Sequence, residues 1–145
     1  MQAPIQIRLL SDPNLLCVVR AAVEAAAGKF GLGHEDSDRL ELAVDEALTN
    51  VIRHGYGGRT DQSICVTLAP VRHEGAAGVE VVIEDESGKV DLDRIRGREF
   101  DEVKPGGLGV SIIREACDVC DYQQRSDGRG LRLMLRKFAR SGAAS

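Results

Sequence analysis

The alternation of apolar and polar residues divides the chain into strands and helices. Residues 5–9 alternate one by one, as expected for a half-buried strand. An N-cap at Ser11 or Asp12 and Pro13 in the first turn predict a helix to about residue 29. A second helix is predicted at about 35–54, which Gly55 ends. The later segments are predicted as strands at 63–68 and 79–84, a helix at 108–119, and closing strands at 122–125 and 131–138.

This order of elements predicts a two-layer α/β sandwich, with helices on one face of a mostly antiparallel, mixed sheet. A chain of 145 residues suits one core. Hydrophobic residues make up 43% of the chain and aromatic residues only 3%, so the core is expected to be aliphatic. We expect a single domain over residues 1–138, followed by a small, polar and flexible tail at 139–145.

Charge and location narrow the functional class. The net charge is −4, with both signs interspersed, which argues against direct nucleic-acid binding because that needs a basic surface. No apolar run approaches the ~20 residues that cross a bilayer. The first residues also lack the pattern of a signal peptide. We therefore expect a cytoplasmic protein with no membrane partner.

The four cysteines are expected to be reduced thiols in that compartment. Cys117 and Cys120 form a C-x-x-C pair. A zinc site would need a second pair or histidines at a matching spacing, and the sequence offers neither. We therefore interpret the pair as two small buried residues on one helix face.

The second predicted helix carries the first candidate site. Its core stripe consists of Leu40, Val44, Ala47, Leu48 and Val51. Glu46 and Asn50 are four residues apart, so they are neighbours on the flank of that stripe. A carboxylate and an amide oxygen at the core boundary could act as a base and as a ligand for Mg²⁺, which prefers oxygen. Taken alone, the pair is better explained as a solvated helix face.

Two further features follow along the chain. Asp85 comes directly after an apolar strand, where its carboxylate could accept a hydrogen bond from an exocyclic amine such as that of adenine. Gly106, Gly107 and Gly109 open the third helix, where backbone N–H groups and the helix dipole favour phosphate. The charged segment 88–107 before it is long enough to be a lid. Taken alone, these features are a solvated turn and a flexible loop.

The three features together resemble the GHKL (Bergerat-fold) ATPases, and within them the bacterial anti-sigma-factor serine kinases. Glu46-x-x-x-Asn50 followed by His54-Gly55-Tyr56 resembles the N box of that family. Residues 85–92 resemble its first glycine box and residues 106–114 its second. The run 127–133 matches the last-strand region. The resemblance covers about residues 5–138, and the compact lid favours the anti-sigma kinases over the larger histidine kinases.

The resemblance implies an enzyme, a serine/threonine protein kinase that uses ATP and Mg²⁺. Glu46 would be the general base toward a serine hydroxyl on a protein, and Asn50 would hold the Mg²⁺. Asp85 would bind the adenine amine. The other residues implied in nucleotide binding are Gly88, Lys104, Gly106, Gly107, Leu108 and Gly109. Charge and position suggest that Lys104 and Arg98 neutralise the γ-phosphate.

The resemblance also implies partners. The protein would bind and inhibit a sigma factor and phosphorylate an anti-sigma-factor antagonist, and it suggests a homodimer through the first strand and first helix. One alternative is an ATP-binding or degenerate partner-switching module without phosphoryl transfer. A second is a kinase that acts on a scaffold in a signalling relay. Ser87 stands where the family usually has glycine, and Leu131 where a threonine is common, and these departures keep the module open.

Overall fold

A computed structural model of the chain describes residues 4–88, 92 and 107–140, with the backbone alone at 107–111. The described helices are α1 (Leu16–Phe30), α2 (His34–Asn50) and α3 (Gly107–Ala116). The described strands are β1 (Ile5–Leu10), β2 (Ser63–His73), β3 (Ala76–Asp85), β4 (Val119–Gln124) and β5 (Leu131–Phe138). Among these residues, no helix has both the length and the apolar character needed to cross a membrane.

The described strands form one sheet in the order β1-β2-β3-β5-β4. The predicted α/β sandwich is confirmed, and every neighbouring pair of these strands is antiparallel, so the mixed character expected from the sequence is absent from them. β2 and β3 extend beyond the predicted strands and meet at Glu74 and Gly75, whose φ angles are +50° and +82°. Two left-handed residues are the usual geometry of a two-residue hairpin.

The core lies between one face of the sheet and the helices. α2 packs against both α1 and α3. The predicted stripe of α2 is confirmed, since its residues are at most 5% exposed. The sheet contributes the buried aliphatic side chains Ile64, Val66, Leu68, Val79, Val81, Ile83, Leu133 and Leu135. Burying such a side chain contributes about 1.5–3 kcal/mol, so this aliphatic core is the main source of stability.

Two contacts set the direction of α2 and α3 relative to the sheet. Asp36, in the first turn of α2, has its Oδ1 3.9 Å from Nζ of Lys137 near the end of β5. Asp118, just after α3, donates its N–H to the C=O of Arg136 in β5. α2 therefore begins, and α3 ends, where β5 ends. At the opposite end of the sheet, β3 ends and β5 begins. α2 runs toward this end of the sheet, and α3 starts there.

The second predicted helix differs in its last turn. The α-helix ends at Asn50, and Val51–Gly55 form a turn of π-helix that the sequence did not predict. Its wider spacing appears in the bond from the N–H of Tyr56 to the C=O of Val51, at 2.9 Å. Such π turns are rare and are found frequently at functional sites.

The third predicted helix was too long at its C-terminal end. α3 stops at Ala116, because the N–H of Asp118 bonds to β5 and Val119 already begins β4. Cys120 is therefore on a strand, and the prediction that it shares a helix face with Cys117 is wrong. Burial raises the pKa of the Cys117 thiol to about 12. The described residues contain no group of three or more His, Cys, Asp or Glu side chains suited to a metal.

The first two residues of the predicted tail are attached to the domain. The N–H of Ala139 bonds to the C=O of Ala77 at 2.7 Å, which continues the contact between β5 and β3. Arg140 reaches the start of α2, where its Nε lies 3.2 Å from Oδ1 of Asp36. The rest of the predicted tail, residues 141–145, is outside the described residues.

Candidate functional site

Asp85, the last residue of β3, has a polar side chain that several hydrogen bonds hold at this end of the sheet. It is only 2% exposed. Its Oδ1 accepts three hydrogen bonds, from the N–H of Ser87 at 3.0 Å, the Oγ of Ser87 at 2.7 Å and the N–H of Leu131 at 3.0 Å. No described residue donates to Oδ2. One carboxylate oxygen is thus fixed by the protein, and the other keeps its capacity to accept a ligand donor.

The turn between β4 and β5 packs directly against Asp85. A Cβ at Gly130 would collide with both the C=O oxygen of Asp85 and its Oδ1, so only glycine fits there. The guanidinium of Arg125 donates from Nη1 to the same C=O at 2.8 Å. The N–H of Gly88 bonds to the C=O of Arg129 at 2.8 Å, which ties the chain after β3 to the same turn.

The two departures from the family pattern are both accommodated at Asp85. The left-handed backbone occurs at Gly88, with φ +97°, while Ser87 has an ordinary negative φ. The turn has therefore moved by one residue relative to the usual glycine. The Ser87 hydroxyl bonds to the Asp85 carboxylate. Leu131 contributes through its backbone N–H, which does not depend on its side chain.

The end of α2 meets Asp85 through the π turn. A Cβ on Gly55 would lie 3.5 Å from Oδ2 of Asp85 and 3.4 Å from Cβ of Ser87. Glu46 and Asn50 are half-buried on the last turns of the helix that leads into this contact. The structure thus brings together the segments that resemble the N box and the first glycine box.

Asn50 carries an unsatisfied polar atom. Its Nδ2 is buried and has no hydrogen-bond partner among the described residues. Leaving such a group unpaired costs about 1–3 kcal/mol, so it needs an explanation. The unpaired Nδ2 is a donor, so it suits an acceptor such as a phosphate oxygen, whereas the amide oxygen is of the type that Mg²⁺ prefers.

Tyr56 connects three segments of the site. Its phenol donates to the C=O of Ser63 at 2.5 Å and accepts from the N–H of Glu86 at 2.6 Å. The residue is 6% exposed, and this burial raises the pKa of its phenol. The hydroxyl therefore stays protonated and joins the π turn to the start of β2 and to the residue after Asp85.

The second glycine segment is described in part. The first turn of α3 is formed by Gly107, Leu108 and Gly109. The helix is about 15 Å long, and its start points back toward the end of the sheet at which Asp85 lies. Backbone N–H groups in a first turn have no partner within the helix and attract anions. Lys104, Gly106, Arg98 and most of the predicted lid lie outside the described residues.

Comparison with known proteins agrees with this arrangement. Residues 9–137 match the family model described as "Histidine kinase-like ATPase domain". The chain belongs to the histidine kinase-like ATPase family. The resemblance to the GHKL ATPases and to their anti-sigma-factor kinases, noted from the sequence, is confirmed by this match and by the relatives described next.

The relatives of this ATPase-family chain include several proteins named serine-protein kinase RsbW. The one from Bacillus pumilus (strain SAFR-032) is 23% identical over 142 residues, covering 92% of this chain and 85% of the relative. The one from Listeria innocua serovar 6a is 26% identical over 126 residues, covering 81% and 78%. These identities are modest but extend over nearly the whole domain.

A solved structure shares the fold. It is the crystal structure of the RsbU and RsbW domains of Rv1364c from Mycobacterium tuberculosis, with a TM-score of 0.66 and 20% identity. The match covers 97% of this chain but 34% of that one, so this ATPase-family chain spans about a third of the length of the larger protein.

Sequence reasoning missed three residues of this ATPase-family site. Arg125 and Gly130 had no assigned role, and Tyr56 was noted only as part of a motif. All three act on Asp85 or the residue after it. The glycine spacing of Gly128 and Gly130 was a usable signal for a tight turn, but no local pattern connects Arg125 to a residue 40 positions earlier.

Proposed function

We propose that this domain is a serine protein kinase that transfers the γ-phosphoryl group of ATP to a partner protein. The observation that carries the proposal is the Asp85 carboxylate, held by three donors on Oδ1 with Oδ2 left as an acceptor. This acceptor lies at the end of the sheet toward which α2 runs and from which α3 starts. The relatives named serine-protein kinase RsbW support the choice of a kinase.

The nucleotide is expected to bind between Asp85 and the start of α3. Oδ2 of Asp85 accepts a hydrogen bond from the exocyclic amine of adenine, and Gly88 leaves the backbone open beside it. The phosphates lie against the first turn of α3, at Gly107, Leu108 and Gly109. Lys104 and Gly106 complete the phosphate contacts in this proposal.

Two residues of α2 carry the chemistry. Asn50 holds Mg²⁺ through its amide oxygen; when bound, the ion neutralises charge on the phosphates. The Glu46 carboxylate takes the proton of the serine hydroxyl as the bond from Oγ to the γ-phosphorus forms. The bond from that phosphorus to the bridging oxygen breaks, and ADP leaves. Positioning and electrostatic stabilisation supply most of the rate enhancement in such transfers.

The proposed partners follow from the RsbW relatives and the family resemblance. The serine belongs to an anti-sigma-factor antagonist, and the same domain binds and inhibits a sigma factor when the antagonist is phosphorylated. A homodimer through β1 and α1 is part of this proposal. The module without phosphoryl transfer is not favoured, because Ser87 and Leu131, which kept it open, both donate hydrogen bonds to Asp85.

The nucleotide part is tested by calorimetry with Mg·ATP. We expect binding in the micromolar range for the native chain and a loss of at least about tenfold in Asp85→Asn, because an amide cannot offer the same acceptors. Asp121→Asn is the matched control, since that carboxylate lies on β4 and bonds to Gln123. Absence of binding by the native chain would refute the proposal.

The catalytic part is tested with Glu46→Gln and γ-labelled ATP. Transfer to an antagonist protein should fall by about 10²–10⁴ while ATP affinity is kept, because only the base is lost. Glu41→Gln on the same helix serves as the control. Unchanged transfer in Glu46→Gln would remove Glu46 from the mechanism and favour another base.

A further inference from the structure

Arg125 occupies an unusual place in the turn between β4 and β5. Its own backbone closes the turn, with its N–H bonded to the C=O of Gly130 at 2.8 Å and its C=O accepting from the N–H of Gly128 at 2.9 Å. Its side chain is 20% exposed and folds back over the end of β3. There it donates from Nη1 to the C=O of Asp85 and from Nη2 to Oδ2 of Asp127, both at 2.8 Å.

The bond to Asp85 satisfies a group that the sheet leaves unpaired. Asp85 pairs with Ile64 in β2, but the pairing of β3 with β5 stops one residue earlier, at Glu84 and Arg132. The C=O of Asp85 thus takes its partner from the guanidinium. A backbone C=O at a buried residue costs free energy when unpaired, so losing the partner would favour a rotation of this peptide.

Rotation of that peptide would disturb the groups that hold the carboxylate. The C=O of Asp85 and its Oδ1 both lie within contact distance of the Gly130 backbone, as the absence of room for a Cβ there shows. Two of the donors that hold Oδ1, the N–H groups of Ser87 and Leu131, are also backbone groups of the flanking segments. Holding the C=O therefore also holds the direction of Oδ2.

We infer that Arg125 is a positioning residue for nucleotide binding, which fixes the Asp85 carboxylate through the backbone C=O of the same residue. The inference rests on the proposed function and deepens it, since Arg125 acts through Asp85 and not on the nucleotide itself. Arginine suits the role because its planar fork reaches two oxygens at fixed angles. The carboxylate of Glu84, 3.8 Å from Nε, adds a weaker electrostatic contact.

The test compares Arg125→Met with Arg72→Met. Arg72 also donates to a backbone C=O, that of Gly75, but it is exposed and lies at the far end of β2. We expect Arg125→Met to weaken Mg·ATP binding about tenfold and Arg72→Met to leave it unchanged. In transfer assays the loss should appear in KM for ATP, with kcat within about twofold. Arg125→Lys keeps the charge but not the fork and should restore part of the affinity.

A readout without nucleotide separates this inference from the proposed function. Hydrogen exchange at the amides of Ser87 and Leu131, which bond to Oδ1, should be faster in Arg125→Met than in the native chain and unchanged in Arg72→Met. Native ATP affinity in Arg125→Met, or native exchange at both amides, would overturn the inference while leaving the proposed kinase intact. If the native chain binds no ATP, the proposed function fails, and the exchange rates alone decide whether Arg125 holds Asp85. Should Arg125→Met not fold, Arg125→Lys carries both measurements.

Discussion

For single residues, the central question is how the site stabilises a buried carboxylate. Asp85 is 2% exposed, and its carboxylate is held by two amides and one hydroxyl rather than by a cation. Hydrogen bonds to a charged group contribute about 1.5–3 kcal/mol each, enough to offset much of its desolvation. The nearby guanidinium of Arg125 bonds to the backbone instead. This leaves the negative charge of Oδ2 available to a ligand.

Gly130→Ala tests the close packing against Asp85. The added Cβ would collide with the C=O of Asp85, so one of the two segments must shift. We expect at least about a tenfold loss of ATP affinity and a loss of about 1–3 kcal/mol in the free energy of unfolding. Gly28→Ala is the control, because nothing lies within 4 Å of the position that its methyl group would take, and α1 gains helix propensity. Equal effects of the two substitutions would contradict the packing argument.

Tyr56→Phe tests the phenol that joins three segments. Without the hydroxyl, the C=O of Ser63 and the N–H of Glu86 lose their partner, and the free energy of unfolding should fall by about 1–3 kcal/mol in urea titrations.

The pH dependence of Tyr56→Phe gives an independent check. Because burial raises the folded pKa of Tyr56 above its ordinary value of 10.0, the stabilisation from this group is complete below pH 10 and is lost as pH rises through the folded pKa. The difference in stability between native chain and variant should therefore shrink at high pH. A difference in stability that stays constant up to the pH of alkaline unfolding would argue against a raised pKa of the Tyr56 phenol.

Among the secondary-structure elements, both helices that border the site are anchored at their far ends. Asp36, 3% exposed in the first turn of α2, faces Lys137 of β5 and Arg140. The carboxylate also suits the positive end of the helix. This cluster fixes the start of α2, and the π turn fixes its end against Asp85. α2 is thus held at both ends, which sets the position of Glu46 and Asn50 relative to Asp85.

Arg140→Ala tests the anchor at the start of α2. Removing this partner leaves the Asp36 carboxylate buried, with Lys137 3.9 Å away. Thermal unfolding should show that the free energy of unfolding falls by about 1–2 kcal/mol. This loss is smaller than for a fully buried pair because Arg140 is half exposed. Arg39→Ala removes an exposed pair with Glu35 on the same helix and should cost less than about 0.5 kcal/mol. Equal losses would show that burial of Asp36 does not matter.

In the molecule as a whole, nucleotide binding and folding are linked. The proposed site takes residues from the end of α2, the end of β3 and the start of α3, so binding needs the assembled domain. The charged segment 88–107, whose length suggested a lid, lies almost entirely outside the described residues, so the lid stays a prediction.

Thermal unfolding with and without Mg·ATP tests this linkage. A ligand at about 100 times its Kd stabilises the folded state by about 2.7 kcal/mol. For a domain of this size that corresponds to a rise in Tm of about 5–10 °C. Asp85→Asn, which we expect to bind at least about tenfold more weakly, should show at most about half of that rise at the same ATP concentration. A shift of equal size in Asp85→Asn would place the nucleotide elsewhere on the molecule.

Local patterns in the amino-acid sequence were enough to predict the element types and the core stripe of α2, because apolar periodicity and glycines at turns act over a few residues. The family followed from the resemblance of three motifs to the N box and the glycine boxes. Local patterns also identified Glu46, Asn50, Asp85 and the glycines of α3 as candidates. Only the folded chain shows how Asp85 is held. Arg125 and Leu131 are 40 and 46 positions away along the sequence, and the register of the strands brings them to Asp85. The π turn and the early end of α3 likewise depend on contacts with distant strands, which local propensity does not contain.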